Sequence, residues 1–486
     1  MKLNDLLSGL DYELVEGTID QEIRTVAYDS RKALPGSLFV CIHGFSTDGH
    51  LYAQAAVDNG AICLVTNKPI QVIGDVTIIR VVNSRYALAA ISAAWFHHPS
   101  DNMDIIGVTG TKGKTTTAYM IREILEKSGH HTGLIGTVAN CIGSERIPAR
   151  RTTPESYDLQ ELFEKMRDQS VQSVAMEVSS QGLKLHRVDF IKFKVGIFTN
   201  FSHDHIGGAE HPDMEDYFAS KMLLFSRCET GIVNADIEEV GAVLSAATCK
   251  ILTYGVKKPA DIRAESIVTH QDSVTFHVVT PWFDTDVTVS APGLFNVYNA
   301  LAAITACGCL GVDEKAVIEG LASIQVPGRA EVVHTPTKPY TVMIDYAHTP
   351  DSLENILRSV REFTAGRLIC LFGCGGDRDR TKRPEMGKIS GRYADYSILT
   401  SDNPRTEDPA KILQEIEDGI SEQNAEYTVI IDRTEAIRHA LRIGLAGDVI
   451  VLAGKGHETY QMFKDKTIHY DEREIVEELV KELIVD

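Results

Sequence analysis

Residues 105–116 run Ile-Ile-Gly-Val-Thr-Gly-Thr-Lys-Gly-Lys-Thr-Thr. The run 105–109 has the composition of a buried strand. Met120, Ile121, Ile124 and Leu125 then space out one apolar helix face, which Gly129 can stop. A glycine-rich turn between a strand and a helix is the setting in which backbone N–H groups and a helix N-terminus cradle phosphate. In that cradle Gly110, Thr111, Lys112 and Gly113 form the loop, Lys114 reaches the β and γ phosphates, the Thr115 hydroxyl suits Mg²⁺, and Thr116 follows into the helix. The longer GxxxxGK[ST] pattern would need glycine at position 108, which is Val108, so this is a shortened form. By itself the stretch is also readable as a turn with a chance lysine; the flanking strand and helix decide for nucleotide binding. A triphosphate–metal site also needs an acidic or imidazole ligand from a neighbouring strand end. Glu177 follows the apolar run 174–176, and His205 closes Thr199-Asn-Phe-Ser-His-Asp-His205 after 195–198. Both stand where the carboxyl ends of parallel strands meet such a cradle.

A second set lies in the last third. Arg378 follows the strand-like run 367–372, Asp402-Asn403-Pro404-Arg405 follows 396–400, and Gly454-Lys-Gly-His-Glu458 follows 448–453. A guanidinium binds carboxylate through two parallel hydrogen bonds, so these arginines are candidates for an anion pocket. Each segment also has an ordinary reading. Residues 377–383 are a mixed charge run of the kind usually solvated, and Asp-Asn-Pro-Arg is a good turn on its own. Together the three loops occupy the edge at which doubly wound sheets bind ligands.

The elements that must position these groups fall into three parts. Residues 1–98 read as a small α/β unit, with strands at 38–42, 61–66 and 76–82 and a helix over 84–96; His97-His98-Pro99-Ser100 ends it. Residues 99–330 hold the phosphate loop, with further apolar runs at 173–178, 195–199 and 231–233, and Asn296 and Asn299 read as caps of a helix starting near 297. Pro327-Gly328 marks the second boundary. Residues 331–486 alternate strands (342–344, 367–372, 396–400, 428–431, 448–453) with helices (351–363, 409–423, 433–443, 471–483), which predicts a doubly wound parallel sheet. The expected fold is therefore α/β in three domains: an N-terminal one, a central P-loop ATPase-like parallel-sheet domain and a C-terminal doubly wound, Rossmann-like domain.

Composition sets limits on function. Of 486 residues, 43% are hydrophobic and 24% charged, which excludes collagen, coiled coil and wholesale disorder. The formal charge of −20 repels nucleic acid and anionic membrane, so no nucleic-acid partner is expected, while a local basic cluster still admits small anions. No apolar run approaches the ~20 residues of a membrane span, and acidic residues fill the N-terminus where a signal peptide would be apolar. The nine cysteines are scattered, as in a cytoplasmic protein with reduced thiols; Cys307-Gly-Cys309 lacks the second pair a soft-metal site would use.

Taken together, Asp29-Ser30-Arg31, Gly110–Thr116, Thr152-Thr153-Pro154, Glu177-Val-Ser179-Ser180, Thr199-Asn200 with Asp204-His205, Lys221, Gly293-Leu-Phe-Asn296-Val-Tyr-Asn299, Gly328-Arg329, Asp345-Tyr-Ala-His348, Gly373–Arg378, Asp402–Arg405 and Gly454–Glu458 resemble, in order and along essentially the whole chain, the Mur ligases of peptidoglycan synthesis. The last three motifs narrow the resemblance to the branch that forms the tripeptide by adding 2,6-diaminopimelate.

The resemblance implies ATP-driven amide synthesis: the D-Glu carboxylate of UDP-MurNAc-L-Ala-D-Glu becomes an acyl phosphate, and the amine of meso-2,6-diaminopimelate displaces phosphate. Lys114, two Mg²⁺ ions and Arg329 would supply the positive charge this needs. Thr115, Glu177, His205 and Lys221, the last as a CO₂-derived carbamate, would hold metal. Adenine would lie near Asn296 and ribose near Asp345. Ser30 would sit at the uridine end of the sugar nucleotide, with Thr152, Thr153, Ser179 and Arg187 on the muramoyl dipeptide. Arg378 and Arg405 would face the distal carboxylate of diaminopimelate, Asp402, Asn403 and Pro404 would belong to the same binding site, and Gly454 and Glu458 would receive its ammonium. The partners implied are these small molecules alone, and the enzyme would be a cytoplasmic monomer. Loops on three parts can meet only if the third part swings in, which makes a hinge natural.

Two departures stand out. Leu185 occupies a position where some relatives contact substrate through glutamine, so that contact is missing or taken by His186. The loop 206–212 is about two residues longer than in some relatives. The alternative reading is the same ligase adding L-lysine or another diamino acid.

Overall fold

Runs such as Ile105–Val108 and Val174–Met176 offer no polar face to solvent, so their strands must be covered on both sides. The computed structural model, which describes residues 1–44, 47–203, 206–207, 210–333, 335 and 338–485, lays them side by side. The chain divides into two units, Met1–Ile262 with Ala302–Ala316, and Arg263–Leu301 with Val317–Asp486.

The first unit holds two sheets. Five strands, in the order Tyr12–Glu16, Thr77–Val81, Ala61–Thr66, Ser37–Val40, Thr25–Ala27, form one; only the first runs antiparallel to its neighbour. The helix Ser84–Trp95 covers it, capped by Asn83, whose side chain accepts from the Arg85 and Tyr86 N–H groups. The second sheet has a parallel run in the order Lys250–Gly255, Cys228–Asn234, Phe193–Phe198, Asp104–Thr109, Ser173–Glu177, Thr132–Ile135. The short strands Ala139–Ile142 and Glu145–Pro148 extend it antiparallel. The strand carrying the phosphate loop is thus central, and Glu177 and Phe198 end the strands on either side of it.

The strands Ile262–Thr269, Val274–Val279 and Asp284–Val289, which belong to the second unit from Arg263 onward, form an antiparallel meander. The main sheet has the order Glu331–Val333, Thr341–Asp345, Val449–Ala453, Leu368–Phe372, Tyr396–Leu399, Tyr427–Val429, parallel except for the first strand. Its side chains alternate cleanly. Met343, Cys370, Phe372, Leu399 and Val451 pack with the helices Pro350–Arg361, Lys382–Tyr393 and Pro409–Ile420. Val342, Ile344, Ile369, Leu371 and Ile450 pack with Arg433–Ile443 and Glu472–Val485 on the other face. This is the doubly wound arrangement expected. Thr349, Asp408 and Asp432 cap their helices, each accepting a backbone N–H of the first turn.

Two expectations fail. The helix bearing Asn296 and Asn299 is Leu294–Cys309, so both lie inside it and neither is a cap. Asn296 Nδ2 instead donates to the Pro292 carbonyl at 2.9 Å, and Asn299 Nδ2 to Asn296 Oδ1 at 3.2 Å. Arg383, at the end of a charge run read as solvated, is fully buried, while residues 377–381 of that run are exposed. No helix among the described residues is long and apolar enough to cross a membrane, and the nine cysteines are free.

One buried ion pair ties strand ends together in the second unit. Arg433 Nε donates to Glu472 Oε1 at 2.8 Å, and its Nη2 and Nη1 donate to the carbonyls of Ala453 (3.0 Å) and Ser401 (3.4 Å). Replacing Glu472 by alanine leaves the Arg433 charge buried without its counter-ion. The expected loss is about 3–5 kcal/mol of unfolding free energy, read by urea denaturation.

Candidate active site

In the first unit the turn after Asp104–Thr109 is made possible by Gly110. Its φ is +139°, and a Cβ there would stand 2.0 Å from Thr199 Oγ1. The loop is stitched to the neighbouring strand end. The Thr111 N–H donates to the Asn200 carbonyl (3.0 Å) and the Lys112 N–H to Asn200 Oδ1 (2.8 Å), while the Lys112 carbonyl accepts from Thr199 Oγ1 at 2.6 Å. Lys114 opens the helix Lys114–Lys127, and its Nζ donates to the carbonyls of Gly110 (2.8 Å) and Thr111 (2.9 Å). Lys221, on the helix Met214–Met222, is only 1% exposed; its Nζ donates to the same Gly110 carbonyl at 2.9 Å and lies 4.3 Å over the Tyr217 ring. Two cations therefore meet at one carbonyl of the phosphate loop.

The Thr115 hydroxyl donates to Glu177 Oε2 at 3.0 Å. Thr137 supplies two more donors to this carboxylate, its N–H to Oε1 (2.8 Å) and its hydroxyl to Oε2 (3.0 Å), and Thr152 Oγ1 lies 3.0 Å from Thr137 Oγ1. The buried Thr153 hydroxyl holds the next turn, donating to the Glu177 carbonyl and accepting from the Ser179 N–H, both at 3.0 Å. Ser179 Oγ accepts from the Gly182 N–H at 3.0 Å, so Ser179 caps the helix Ser180–Lys184. Arg187 Nη1 reaches the Thr153 carbonyl at 3.3 Å, and its Nε lies 3.3 Å from Glu155 Oε2. Thr115 and Glu177 present hard oxygen donors at a strand end, the donor type that suits Mg²⁺. Among the described residues no group of three His, Cys, Asp or Glu forms a metal cluster. His205, with Asp204, lies outside the described residues. His186 is tied to Asp189 Oδ2 (2.7 Å) and Asn83 Nδ2 (3.1 Å). Ser30, half-buried, follows the strand Thr25–Ala27 at its carboxyl end, where Asn59 Nδ2 donates to its carbonyl at 2.9 Å.

The second unit gathers the other set. Arg405 has a left-handed φ of +49°, fixed by its N–H donating to the Met462 carbonyl (3.1 Å), and Arg405 Nη1 donates to the Gly376 carbonyl at 2.9 Å. A Cβ on Gly375 would lie 2.8 Å from Arg405 Nη1 and 3.9 Å from Arg378 Cγ, so both arginines flank that glycine, with Arg378 exposed. A Cβ on Gly376 would strike the Pro404 carbonyl at 2.0 Å, and the Gly376 N–H donates to the Asn403 carbonyl at 2.9 Å. Asn403 Nδ2 donates to Glu458 Oε2 at 2.8 Å, and the buried Asp402 has Oδ2 within 2.9 Å of where a Gly454 Cβ would be. Asp345 accepts from the Ala330 N–H at 2.8 Å; burial pushes its carboxyl up, opposed by Arg329. Arg329 stacks 5.0 Å over Tyr346, and its Nε is buried with no hydrogen-bond partner among the described residues.

Several contributors escape a reading of the sequence. Thr137 lies two residues past Thr132–Ile135, a strand of four residues too short to stand out, although the rule that looks for chemistry after a strand end applies to it as well. Glu155, directly after Thr-Thr-Pro, gathers Arg85 (3.1 Å), Arg151 (3.4 Å) and Arg187 (3.3 Å). Tyr217 and Lys455 carry no sequence signal of burial.

Known proteins match this chain in sequence and in fold. The sequence matches the Mur ligase family catalytic domain over residues 22–96, the Mur ligase middle domain over 108–307 and the Mur ligase glutamate ligase domain over 328–456. The chain belongs to the Mur ligase family. Relatives named UDP-N-acetylmuramoyl-L-alanyl-D-glutamate–2,6-diaminopimelate ligase are 48% identical in Clostridium botulinum (99% of this chain, 100% of the relative) and 44% identical in Clostridium perfringens (99% and 100%). A solved structure of a ligase of that name is similar with TM-score 0.73 and 28% identity, covering 100% of this chain and 99% of its own. The MurF ligase from Thermotoga maritima in complex with ADP shares the fold, with TM-score 0.60 and 18% identity over 94% of this chain and 97% of its own.

Because Gly110 has no room for a side chain, Gly110→Ala is expected to displace the loop and lower ADP affinity by about tenfold or more, as read by titration calorimetry.

Proposed function

We propose that this chain is an ATP-dependent amide ligase that joins meso-2,6-diaminopimelate to the D-Glu of UDP-MurNAc-L-Ala-D-Glu, working as a cytoplasmic monomer with residues 1–98, 99–330 and 331–486 as its three domains. One arrangement carries the reading of the amino acid. A single loop cluster presents a guanidinium, Arg405, and a carboxylate, Glu458: Arg405 donates to the Gly376 carbonyl, the Gly376 N–H donates to the Asn403 carbonyl, and the Asn403 side chain donates to Glu458. That charge pattern complements a carbon bearing both a carboxylate and an ammonium, which is the distal end of diaminopimelate and is absent from lysine.

The phosphate loop takes ATP. Backbone N–H groups of residues 110–116 and the Lys114 ammonium bind the phosphates, and Asn296, Arg329 and Asp345 serve the nucleoside end. The D-Glu carboxylate attacks the γ phosphorus and ADP leaves; the amine then attacks the acyl carbonyl, phosphate departs and the amine loses a proton. A carboxylate approaching a polyanion is resisted by charge, and the Lys114 ammonium held at Gly110 lowers that resistance. Thr115 and Glu177, with His205 and the carbamate of Lys221, would hold Mg²⁺, which supplies further neutralisation of the phosphates when bound. Arg187 and the Thr152–Thr153 turn orient the dipeptide, and Ser30 the uridine end. Arg378 and Arg405 take the distal carboxylate, with Asp402, Asn403, Pro404 and Gly454 shaping the pocket.

Phosphate release in the presence of ATP and UDP-MurNAc-dipeptide tests this directly. Diaminopimelate is expected to support turnover, with L-lysine lower in kcat/KM by about 10⁴. Arg405→Ala is expected to raise KM for diaminopimelate by roughly ten- to a hundredfold while leaving KM for ATP unchanged. Equal use of both amino acids, or an unaltered KM in the variant, would refute the assignment.

A further inference from the structure

One buried group in the loop cluster has no task in the scheme above. Lys455 has 0% of its side chain exposed, an unusual position for a lysine, because an ammonium is costly to remove from water. What surrounds it offsets that cost. Its Nζ lies 3.3 Å from Glu458 Oε2 and 3.4 Å from Asn403 Oδ1, with the ring centroids of Tyr460 and Tyr470 at 5.7 and 5.8 Å. Asn403 Nδ2 donates to the same Glu458 Oε2 at 2.8 Å. Asn403 is itself pinned, its Oδ1 accepting from the Met462 N–H at 2.9 Å. Two donors on one oxygen fix the rotation of the Glu458 carboxylate and take up part of its charge.

The sign of that buried charge matters for selection. A distal centre with ammonium and carboxylate has no net charge; a distal ammonium alone has one positive charge. A fixed cation beside the pocket, added to Arg405, disfavours the second and leaves the first little affected. We infer that Lys455 is a positioning residue for amino-acid selection: it holds Glu458 in place and offsets its charge, so that the cluster takes a zwitterionic distal centre in preference to a bare ammonium. The inference rests on the reading of this cluster as the amino-acid pocket.

The test compares the full-length enzyme with K455M, K455Q and K455R in steady-state ligation with diaminopimelate and with L-lysine. For K455M the expected result is a rise in KM for diaminopimelate of about tenfold, kcat within about threefold, KM for ATP unchanged, and a fall of about tenfold or more in the ratio of kcat/KM for diaminopimelate over lysine. K455R, which keeps the charge, stays nearer the wild-type ratio. An unchanged ratio in folded K455M, an equal loss with both amino acids, or a K455R ratio no nearer wild type than that of K455M would overturn the proposal. Where K455M fails to fold, K455Q decides by the same ratio, and failure of both to fold also overturns it, since the lysine would then be structural. Wild-type enzyme that does not ligate diaminopimelate at all refutes the pocket reading instead, so the two failures are distinguishable.

Discussion

The phosphate loop depends on a carbonyl that two ammonium groups share. Lys114 and Lys221 come from two different helices, Lys114–Lys127 and Met214–Met222, yet both donate to the oxygen of Gly110. Like charges converge only if the backbone holds them there. The Gly110 turn does so because Thr199 and Asn200 lock the loop to the adjacent strand end. Glu177 closes the arrangement from the other side, holding the Thr115 hydroxyl while Thr137 holds it. The Lys114 ammonium is thereby fixed at the mouth of the loop in a chain whose formal charge is −20, a local cation set against the global field.

The second unit solves a similar problem with buried cations. The three loops of the arginine cluster each rest on one. Arg383 pairs with Glu407 (2.9 Å) and Glu415 (2.8 Å) and lies 3.4 Å from the Gly375 carbonyl. Arg433 takes the carbonyls of Ser401 and Ala453, and Lys455 takes Asn403 and Glu458. Each loop is thereby fixed by a charge that water does not screen, so the exposed Arg378 and the half-buried Arg405 start from a rigid base. The Arg383 guanidinium and the Asp377 N–H hold the Glu407 carboxyl down at about 2. A depressed carboxylate of this kind stabilises the fold above the ordinary carboxylate range, and that contribution is lost only as pH falls toward about 2.

Much of this was legible in the residues, for a physical reason. Strands covered on both faces read as unbroken apolar runs, so the strands around Ile106, Ala175, Cys370 and Val451 stand out, and chemistry placed just after them is found by position. The antiparallel meander of 262–289 is half-exposed, with residues such as Glu265, Thr275 and Asp286 interrupting its apolar positions, and it does not stand out in that way. Asn296 misleads because asparagine prefers caps, whereas the helix already starts at Leu294, two residues before it. Arg383 and Lys455 are hidden by their type: the prior for a long cation is solvent, and only the packed structure reveals carboxylates waiting inside.

The pair Gly375–Gly376 has a consequence for how such a pocket can change. A Cβ on Gly376 would stand 2.0 Å from the Pro404 carbonyl, and one on Gly375 would stand 2.8 Å from Arg405 Nη1, so neither position has room for a larger residue. A bulkier side chain there would push the Pro404 backbone or the Arg405 guanidinium aside. Narrowing this wall is thus not a way to refuse a slimmer guest; charge is the means left to it.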